Sequence, residues 1–391
     1  MTEMFPVDDA ALVDLAVALA RTPSVSGSEG PAVSLAAAAM EAAGFDTVEV
    51  DASGNAIGII GPGGGRTLMI DGHIDSIPLH SPERWSVDPF GGEIRDGSLY
   101  GLGICDQKAS VAAAIWGVAA AAPRVPSRVV VVASVCEEEM EGGALAEPVA
   151  ALRPDAFVTS EPNDTRLCTG QRGRAKIEVR VTGRACHAGH AAVGLNALHA
   201  AAALIDEVTR IPRPSHPQLG WRDLNCIDAH SEPYPSVSTI PGSVLARFDC
   251  RFLPGETPDS IVELLAHAAE RAWSTWPEKP HLDIALVEAA FTSWTGQAFS
   301  LPEFAAAWWT PQESPLVRGA TRALSSVGLD PTPTHYSFCT NGSYAAGICG
   351  IPTVGFGVGV ESMAHQVDEH VTLRSLRDGA QGYAALAAMD L

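Results

Sequence analysis

The sequence lacks the features that would place it outside the cytosol. Its eight cysteines are scattered without a Cys-x-x-Cys pair, so we expect reduced thiols and no disulfide framework. The N-terminal segment carries acidic residues where a signal peptide would need basic ones. The apolar, alanine-rich run from Ala109 to Ala122 is too short to cross a bilayer. These absences together predict a cytoplasmic protein.

Positive charge is also scarce. The chain has 25 Lys and Arg against 46 Asp and Glu, a formal net charge of −21. This excess argues against nucleic acid and anionic membranes as partners, and leaves a small molecule as the expected ligand. With 391 residues, 46% of them hydrophobic and 18% charged, the chain is long enough for one large or two ordinary globular domains.

The apolar runs divide the chain into two patterns. RTLMID (66–71), RVVVVASV (128–135) and DAFVTS (155–160) are continuous, which is typical of strands covered on both faces. A helical stretch between the first two predicts an α/β domain with a mixed, mostly parallel sheet. From AKIEVRVTG (175–183) onward, apolar and polar residues alternate, which indicates an α+β domain. We therefore predict an α/β domain of residues 1–173 and 291–391, interrupted by an α+β domain of residues 174–290.

Each continuous run ends in polar residues that can bind metal ions. The first leads into His73 and Asp75, the second into four glutamates within the stretch 137–141, and the third into Glu161. Ligands of open α/β sheets collect at the carboxyl ends of strands, so these groups are expected to converge. Asp106, in YGLGICDQK, and His365, in SMAHQVDEH, are further candidates.

Histidine and carboxylates without cysteine are typical of a catalytic zinc-type site that keeps an open coordination position. Two dications about 3.5–4 Å apart are a common hydrolytic arrangement, with a bridging hydroxide as nucleophile. Two such ions would also offset the repulsion among Glu137, Glu138, Glu139 and Glu141.

Taken singly, each candidate has a simpler interpretation. His73 alone could be an ordinary strand-end histidine, Asp106 a loop or capping residue, and Glu161 a solvated turn. His365 is followed by Asp368, Glu369 and His370, which suits a polar loop. A glutamate cluster is common at a solvated helix N-terminus. Their joint occurrence in this order favours the metal site.

The motifs GHIDSIP, W-x-x-DPFGGEIRDGSLYGLGICDQK, CEEE, SEP, ACHAG and AHQVDE follow one another along nearly the whole chain. In this order they resemble the ArgE/DapE/aminoacylase/carboxypeptidase-G family of dinuclear zinc hydrolases, metallopeptidase clan MH. The segments GQRGRAKIEVRVTGRACHAG, SWTG, FCTNG and GFGVGVESMAH look most like the YgeY-type branch of that family.

The resemblance implies a role for each candidate. His73 and Glu161 would bind one metal ion, Glu138 and His365 the other, and Asp106 would bridge them, with a cis peptide between Asp106 and Gln107. Asp75 would orient His73, as metal-bound histidines usually require. Glu137 would be the general base. A register shifted by one residue, with Glu138 as base and Glu139 as ligand, is the alternative.

The resemblance also implies a role for the inserted domain, as a ferredoxin-like lid and dimerisation module. His187 would reach into the partner subunit's active site and stabilise the oxyanion. Arg251 would grip a substrate carboxylate, and Asn341 and Gly342 would line the substrate pocket. These assignments predict a homodimer.

The activity that follows is metal-dependent hydrolysis of an amide-type C–N bond, with Glu137 activating a metal-bridging hydroxide. The expected substrate is a small N-acylated, N-carbamoylated or dipeptide-like carboxylate, and the expected cofactors are two divalent ions, Zn²⁺ or alternatively Co²⁺ or Mn²⁺. Two other interpretations are an aminohydrolase or deaminase acting on a non-peptidic small molecule, and a non-catalytic relative.

Overall fold

The computed structural model describes residues 4–63 and 65–391. Residues 1–3 and Gly64, which we assigned to the α/β domain, lie outside the described residues. The chain forms two compact units. The first contains the chain up to Gln171, Ala290–Ser300 and Trp308–Leu391, and the second contains Arg172–Ala289 and Leu301–Ala307. The segment Leu301–Ala307, which we assigned to the α/β domain, belongs to the second unit because Phe304 and Ala305 pair with a strand there.

The helices are α1 (Asp9–Ala20), α2 (Gly30–Ala42), α3 (Ala109–Ala121), α4 (Ala146–Leu152), α5 (Ala197–Val208), α6 (Pro258–Ala272), α7 (Pro315–Ser326) and α8 (Leu373–Ala387). The strands up to the second unit are β1 (Thr47–Val50), β2 (Ala56–Ile60), β3 (Thr67–His73), β4 (Ile94–Arg95), β5 (Ser98–Tyr100), β6 (Arg128–Ser134), β7 (Ala156–Thr159) and β8 (Cys168–Gln171).

The strands from the second unit onward are β9 (Gly173–Thr182), β10 (Cys186–His187), β11 (Ser215–His216), β12 (Gly220–Trp221), β13 (Asp223–Glu232), β14 (Thr239–Ile240), β15 (Ser243–Phe252), β16 (His281–Leu286), β17 (Glu288–Thr292), β18 (Ala298–Pro302), β19 (Phe304–Ala305), β20 (Trp308–Trp309), β21 (Thr334–Tyr336), β22 (Thr353–Gly355) and β23 (His370–Thr372).

The first unit is built on a mixed sheet with the strand order β1-β2-β6-β3-β7-β22-β8-β20, and β21 pairs with β8. Its centre is parallel, since β3 runs parallel to both β6 and β7, and β22 runs parallel to β7. The flanking strands β1 and β2 are antiparallel to their neighbours. The predicted α/β fold with a mixed sheet is confirmed.

Both faces of this sheet are covered, which explains why its central strands are continuous apolar runs. Leu68 and Ile70 of β3 pack into a core shared with α1, α2, α3 and α8. Met69, between them, points to the other face and packs with Phe157 and with Leu145, which precedes α4.

The alanine-rich helix α3 packs closely on α8. A Cβ atom on Gly117 would lie 2.3 Å from the carbonyl oxygen of Ala380 and 3.1 Å from Cβ of Tyr383. Glycine at this position therefore allows the two helices to approach closely, and α3 itself begins directly after the turn that carries Asp106.

The second unit is an antiparallel sheet with the order β13-β15-β9-β16, and β19 pairs with β9. The chain order β9-α5-β13-β15-α6-β16 is the β-α-β-β-α-β arrangement of a ferredoxin-like fold. Burial alternates along β9, as its sequence pattern predicted. The strand β13 did not stand out in the sequence because its residues are mostly exposed and polar.

Within the described residues, no helix combines the length and the apolar character needed to cross a membrane.

Candidate active site

Three parallel strands carry candidate residues to one edge of the sheet. His73 is the last residue of β3, Glu137 follows the end of β6 by three residues, and Glu161 follows the end of β7 by two. Nε2 of His73 lies 3.9 Å from Oε2 of Glu137 and 3.9 Å from Oε1 of Glu161. All three side chains are buried. The carboxyl ends of the strands therefore converge, as the sequence predicted.

Asp106 lies between two histidines. It belongs to an irregular turn, Ile104–Lys108, and its carboxylate is almost fully buried. Oδ1 is 3.0 Å from Nε2 of His73, and Oδ2 is 3.3 Å from Nε2 of His365. The peptide bond between Asp106 and Gln107 is cis, as the resemblance implied.

Glu138 and His365 form the outer part of the cluster. Nε2 of His365 lies 2.9 Å from Oε1 of Glu138. His365 itself has a left-handed backbone conformation, with φ of 59°, and its carbonyl oxygen lies 3.0 Å from Nε2 of His80. This loop therefore presents the His365 imidazole to Glu138 and to Asp106, which also faces His73.

The donor atoms fit divalent metal ions. Two sets of ligand atoms lie within 4.8 Å of one another, His73 with Asp106 and Glu138, and His73 with Glu137 and Glu161. His365 joins the cluster through its contacts with Asp106 and Glu138. Nitrogen and oxygen donors without thiolates suit a catalytic zinc-type site. Oε1 of Glu137 is buried and has no hydrogen-bond partner among the described residues, which leaves it available to a water molecule or a ligand.

Asp75 fixes the segment that carries the two glutamates. Its Oδ1 accepts the backbone N–H of Glu137 and its Oδ2 accepts that of Glu138, both at 3.2 Å. Oδ1 also lies 3.4 Å from Nδ1 of His73, and the Ser26 hydroxyl donates to Oδ2 at 2.7 Å. One buried carboxylate thus orients the His73 ring and both glutamates.

Burial and crowding shift the acidities of the cluster. Burial raises the pKa of Glu137 well above its ordinary value, and the carboxylates of Glu161, Glu141 and Glu138 add to the effect against an opposing contribution from His73. Burial also raises the pKa of Glu161, together with the neighbouring charge of Asp106.

The histidines of the metal-free cluster hold their protons strongly. Hydrogen bonds to Asp106 and Glu138 raise the pKa of His365 to about 10, although burial opposes the rise. Burial lowers the pKa of His73, but its contacts with Asp106 and Asp75 more than compensate, so that the pKa lies well above its usual range. Such strongly held protons must leave when a metal ion binds.

The remaining residues of the glutamate stretch differ from Glu137 and Glu138. Glu139 is exposed and Glu141 is half-buried, and both lie in the turns before α4. Cys136 is buried and its thiol donates to Oε1 of Glu29 at 3.3 Å, while burial raises its pKa. Cys105, before Asp106, is also buried with a raised thiol pKa. Both cysteines are therefore neutral packing residues.

Asn341 and Gly342, predicted to line the substrate pocket, are buried in the first unit. Nδ2 of Asn341 donates to Oδ2 of Asp71 at 2.8 Å and to the Ser134 hydroxyl at 3.2 Å, and its Oδ1 accepts the Gly142 N–H at 2.6 Å. A Cβ atom on Gly342 would lie 2.7 Å from Nε1 of Trp308. Both residues hold the loop in place, and their contact with substrate stays a prediction.

His187 and Arg251 lie in the second unit. His187 is exposed at the end of β10, and its Nδ1 accepts the Gly189 N–H at 3.0 Å. Arg251 of β15 forms an ion pair with Asp249, with 2.9 Å between Nε and Oδ1. Their roles toward the oxyanion and the substrate carboxylate stay predictions.

Sequence reasoning missed three buried charged residues close to the cluster. The Glu369 carboxylate accepts backbone N–H groups from the turn that contains Asp106. Lys108, two residues after Asp106, is fully buried and donates to the carbonyl oxygen of Thr22 at 2.9 Å. Asp71, two residues before His73, has a buried Oδ1 that finds no hydrogen-bond partner in the part of the chain that the structure describes, and burial raises its pKa to about 6. For Glu369 and Lys108, the position within motifs that also hold candidate ligands was a signal that they could lie near the site, although not of the bonds they form.

The sequence profile of Peptidase family M20/M25/M40 matches residues 69–389. The uncharacterized protein YgeY of Escherichia coli (strain K12) is 27% identical over 372 residues, which cover 93% of this chain and 90% of that protein. Succinyl-diaminopimelate desuccinylase 2 of Ruegeria sp. (strain TM1040) is 28% identical over 387 residues, covering 93% of this chain and 91% of the relative.

A solved structure extends the likeness to the whole fold. The YxeP protein of Bacillus subtilis, described as a dinuclear metal binding peptidase from the M20 family, aligns with a TM-score of 0.73. The alignment covers 97% of both chains at 14% sequence identity, so it supports the fold.

Proposed function

The chain belongs to Peptidase family M20/M25/M40, and from this premise we propose that it is a two-metal hydrolase that cleaves an amide-type C–N bond of a small, peptide-like carboxylate. The observation that carries the proposal is the convergence of His73, Asp106, Glu137, Glu138, Glu161 and His365 at one edge of the sheet.

Two divalent ions bound there would polarise the scissile carbonyl and lower the pKa of a bound water molecule. The ligands of one ion would be His73 and Glu161 and those of the other Glu138 and His365, with Asp106 shared between them because its two oxygens face the two histidines. Zn²⁺ suits this donor set, and Co²⁺ and Mn²⁺ are the alternatives to be compared.

Glu137 would move the proton. Its raised pKa and its buried, unpartnered Oε1 suit a base that accepts a proton from water and later donates it. As the water oxygen bonds to the carbonyl carbon, its proton passes to Glu137. The C–N bond then breaks, and the same proton passes to the leaving nitrogen. Asp75 holds the Glu137 backbone in place during both transfers.

The second unit would supply the remaining groups. We propose that His187 stabilises the oxyanion in the partner subunit of a homodimer and that Arg251 binds the substrate carboxylate. Arg251 would then have to exchange its ion pair with Asp249 for one with the substrate. The second unit would act as lid and dimerisation domain.

The proposal is tested by an activity screen of the purified, metal-reconstituted protein over N-acyl, N-carbamoyl and dipeptide substrates, read by mass spectrometry. We expect release of a carboxylic acid and an amine from at least one class, and loss of this activity in Glu137→Ala. Ammonia release from a non-peptidic amine without a carboxylic acid product would instead favour an aminohydrolase. An inert protein with full metal occupancy would favour a non-catalytic relative.

A further inference from the structure

The Glu369 carboxylate lies at the centre of a ring of backbone donors. Its Oε1 accepts the N–H groups of Cys105 at 2.7 Å and Asp106 at 3.1 Å, and its Oε2 accepts that of Gly103 at 3.0 Å. The Glu369 carbonyl oxygen accepts a fourth N–H, from Gly101, at 3.0 Å. The side chain is only 1% exposed.

The backbone of residues 101–106 is shaped for an anion. Gly103 is left-handed, with φ of 75°, and the turn that follows brings the N–H groups of Gly103, Cys105 and Asp106 toward one carboxylate. Such a concave set of N–H groups binds anions in many proteins. In this chain a carboxyl group fills this set of N–H groups internally, from a residue far along the sequence, since 266 positions separate Gly103 from Glu369.

Glu369 also belongs to the loop of the other ligand. It follows His365 by four residues, and between them Oδ1 of Asp368 accepts the N–H of Ser86 at 2.7 Å. The carboxylate of Asp106 contacts both His73 and His365, so a movement of the Asp106 backbone would change both contacts.

We propose that Glu369 is a positioning residue that couples the turn of Asp106 to the loop of His365, so that both metal-binding sets form only when its carboxylate fills the ring of N–H groups. This inference rests on the proposed two-metal function. The Glu369 carboxylate would act through the backbone N–H groups of Gly103, Cys105 and Asp106.

The first test compares metal affinities of wild type and Glu369→Gln by calorimetric titration of Zn²⁺ into the metal-free full chain. Glutamine has one acceptor oxygen and places an N–H₂ group against an N–H donor, so it cannot accept all three bonds. We expect metal affinity to fall about 10- to 100-fold, as for other residues that orient metal ligands. At saturating Zn²⁺, kcat should recover and KM should stay at the wild-type value.

Asp155→Asn is the matched control, because Asp155 also accepts a backbone N–H, from Thr67, but at the opposite end of β3. It should bind Zn²⁺ as the wild type does. Wild-type metal affinity in Glu369→Gln would overturn the inference.

A second measurement needs no variant. Amide hydrogen exchange of the metal-free wild type should show slow exchange at Gly103, Cys105 and Asp106, and exchange as fast as in exposed loops would overturn the proposed coupling. If the wild type itself bound no Zn²⁺, the two-metal proposal would fail, whereas equal binding by both proteins would refute only the role of Glu369.

Discussion

The carboxylate of Asp75 accepts the backbone N–H of Glu137 at 3.2 Å, although 62 residues separate them in the sequence. This bond links the loop after β3 to the loop after β6, and the neighbouring N–H of Glu138 donates to the other oxygen of the same carboxylate. The two glutamates are therefore held in a defined register, with Glu137 toward His73 and Glu138 toward His365.

This register predicts that substitution of Glu137 lowers catalytic rate, whereas substitution of Glu138 lowers metal content. Glu137→Gln should lower kcat by about 100- to 10,000-fold, the usual contribution of general acid–base catalysis, and should keep its bound metal. Glu138→Gln should lose metal, because it removes a proposed ligand of the metal ion that His365 would also bind. Steady-state kinetics and elemental analysis of each variant measure both effects.

Glu139→Gln is the control for this series, since Glu139 is exposed, and it should keep both activity and metal. The shifted register would instead be supported by a metal loss in Glu139→Gln combined with a kcat loss in Glu138→Gln at full metal content.

Proton release should accompany metal binding. In the metal-free protein the pKa of His365 is raised to about 10, mainly by Asp106 and Glu138, so the imidazole is protonated at neutral pH. Calorimetry in buffers of different ionisation enthalpy should show His365→Gln releasing about one proton fewer than wild type at pH 7.5. Equal proton release by the two proteins would contradict the assignment of His365 as a ligand.

The same shift affects the stability of the metal-free protein. Because the folded-state pKa lies above the ordinary value of 6.5, the contribution of His365 is fully present below pH 6.5 and is lost as the pH rises through about 10. Denaturant unfolding of the metal-free proteins measures this effect. Between pH 6.5 and about 10, the free energy of unfolding should fall less in His365→Gln than in the wild type.

The central strands could be predicted from sequence because they are buried on both faces. The runs that became β3, β6 and β7 are apolar along their whole length, so their ends and the metal-competent residues beyond them could be located. The strand β13 has no such pattern, because most of its side chains are exposed.

The proposed role of Glu369 could not be predicted from sequence for a different reason. It arises from hydrogen bonds between segments more than 260 positions apart, and a single polar residue within AHQVDEH gives no sign of them. Asp75 shows the same limit: its relation to His73 was predicted, but its bonds to Glu137 and Glu138 depend on how β3 and β6 are aligned.

Asp71 should lower stability at neutral pH. Burial raises its pKa from 3.8 to about 6, so its stabilising contribution is present below pH 3.8 and is lost as the pH rises through 6. Asp71→Asn removes the ionisable group, and with it the loss of stability on ionisation, while it keeps an acceptor oxygen for Asn341. In the metal-free state, the free energy of unfolding of Asp71→Asn should increase relative to that of the wild type between pH 4 and pH 7. The increase should be up to about 3 kcal/mol, since one pKa unit corresponds to about 1.4 kcal/mol.

Asn341→Ala should act mainly on stability. It removes the partner of Asp71 and of the Gly142 N–H, both buried, and each unsatisfied group costs about 1–3 kcal/mol. Thermal unfolding should therefore show a clearly lower midpoint temperature for Asn341→Ala than for the wild type. If KM rose at unchanged stability, Asn341 would instead be a substrate contact, as its sequence motif predicted.

Subunit complementation tests whether His187 acts across a dimer. His187→Ala and Glu137→Ala chains should each be inactive or nearly so, since one lacks the proposed oxyanion donor and the other the proposed base. In an equal mixture, random pairing makes half of the dimers mixed, and each mixed dimer has one complete site. Activity should therefore recover to about a quarter of the wild-type value, as expected for a two-fold symmetric dimer.

Glu137→Ala mixed with His365→Ala is the matched control, because both residues belong to the first unit and every site would lack one of them. Differently tagged chains and native mass spectrometry would show that mixed dimers form in both experiments. Since His187 lies in the second unit and is exposed, recovery in the first mixture alone requires that it serve the partner's site. Mixed dimers without recovered activity would mean that His187 does not act across the interface, and the proposed role of the second unit in catalysis would have to be abandoned.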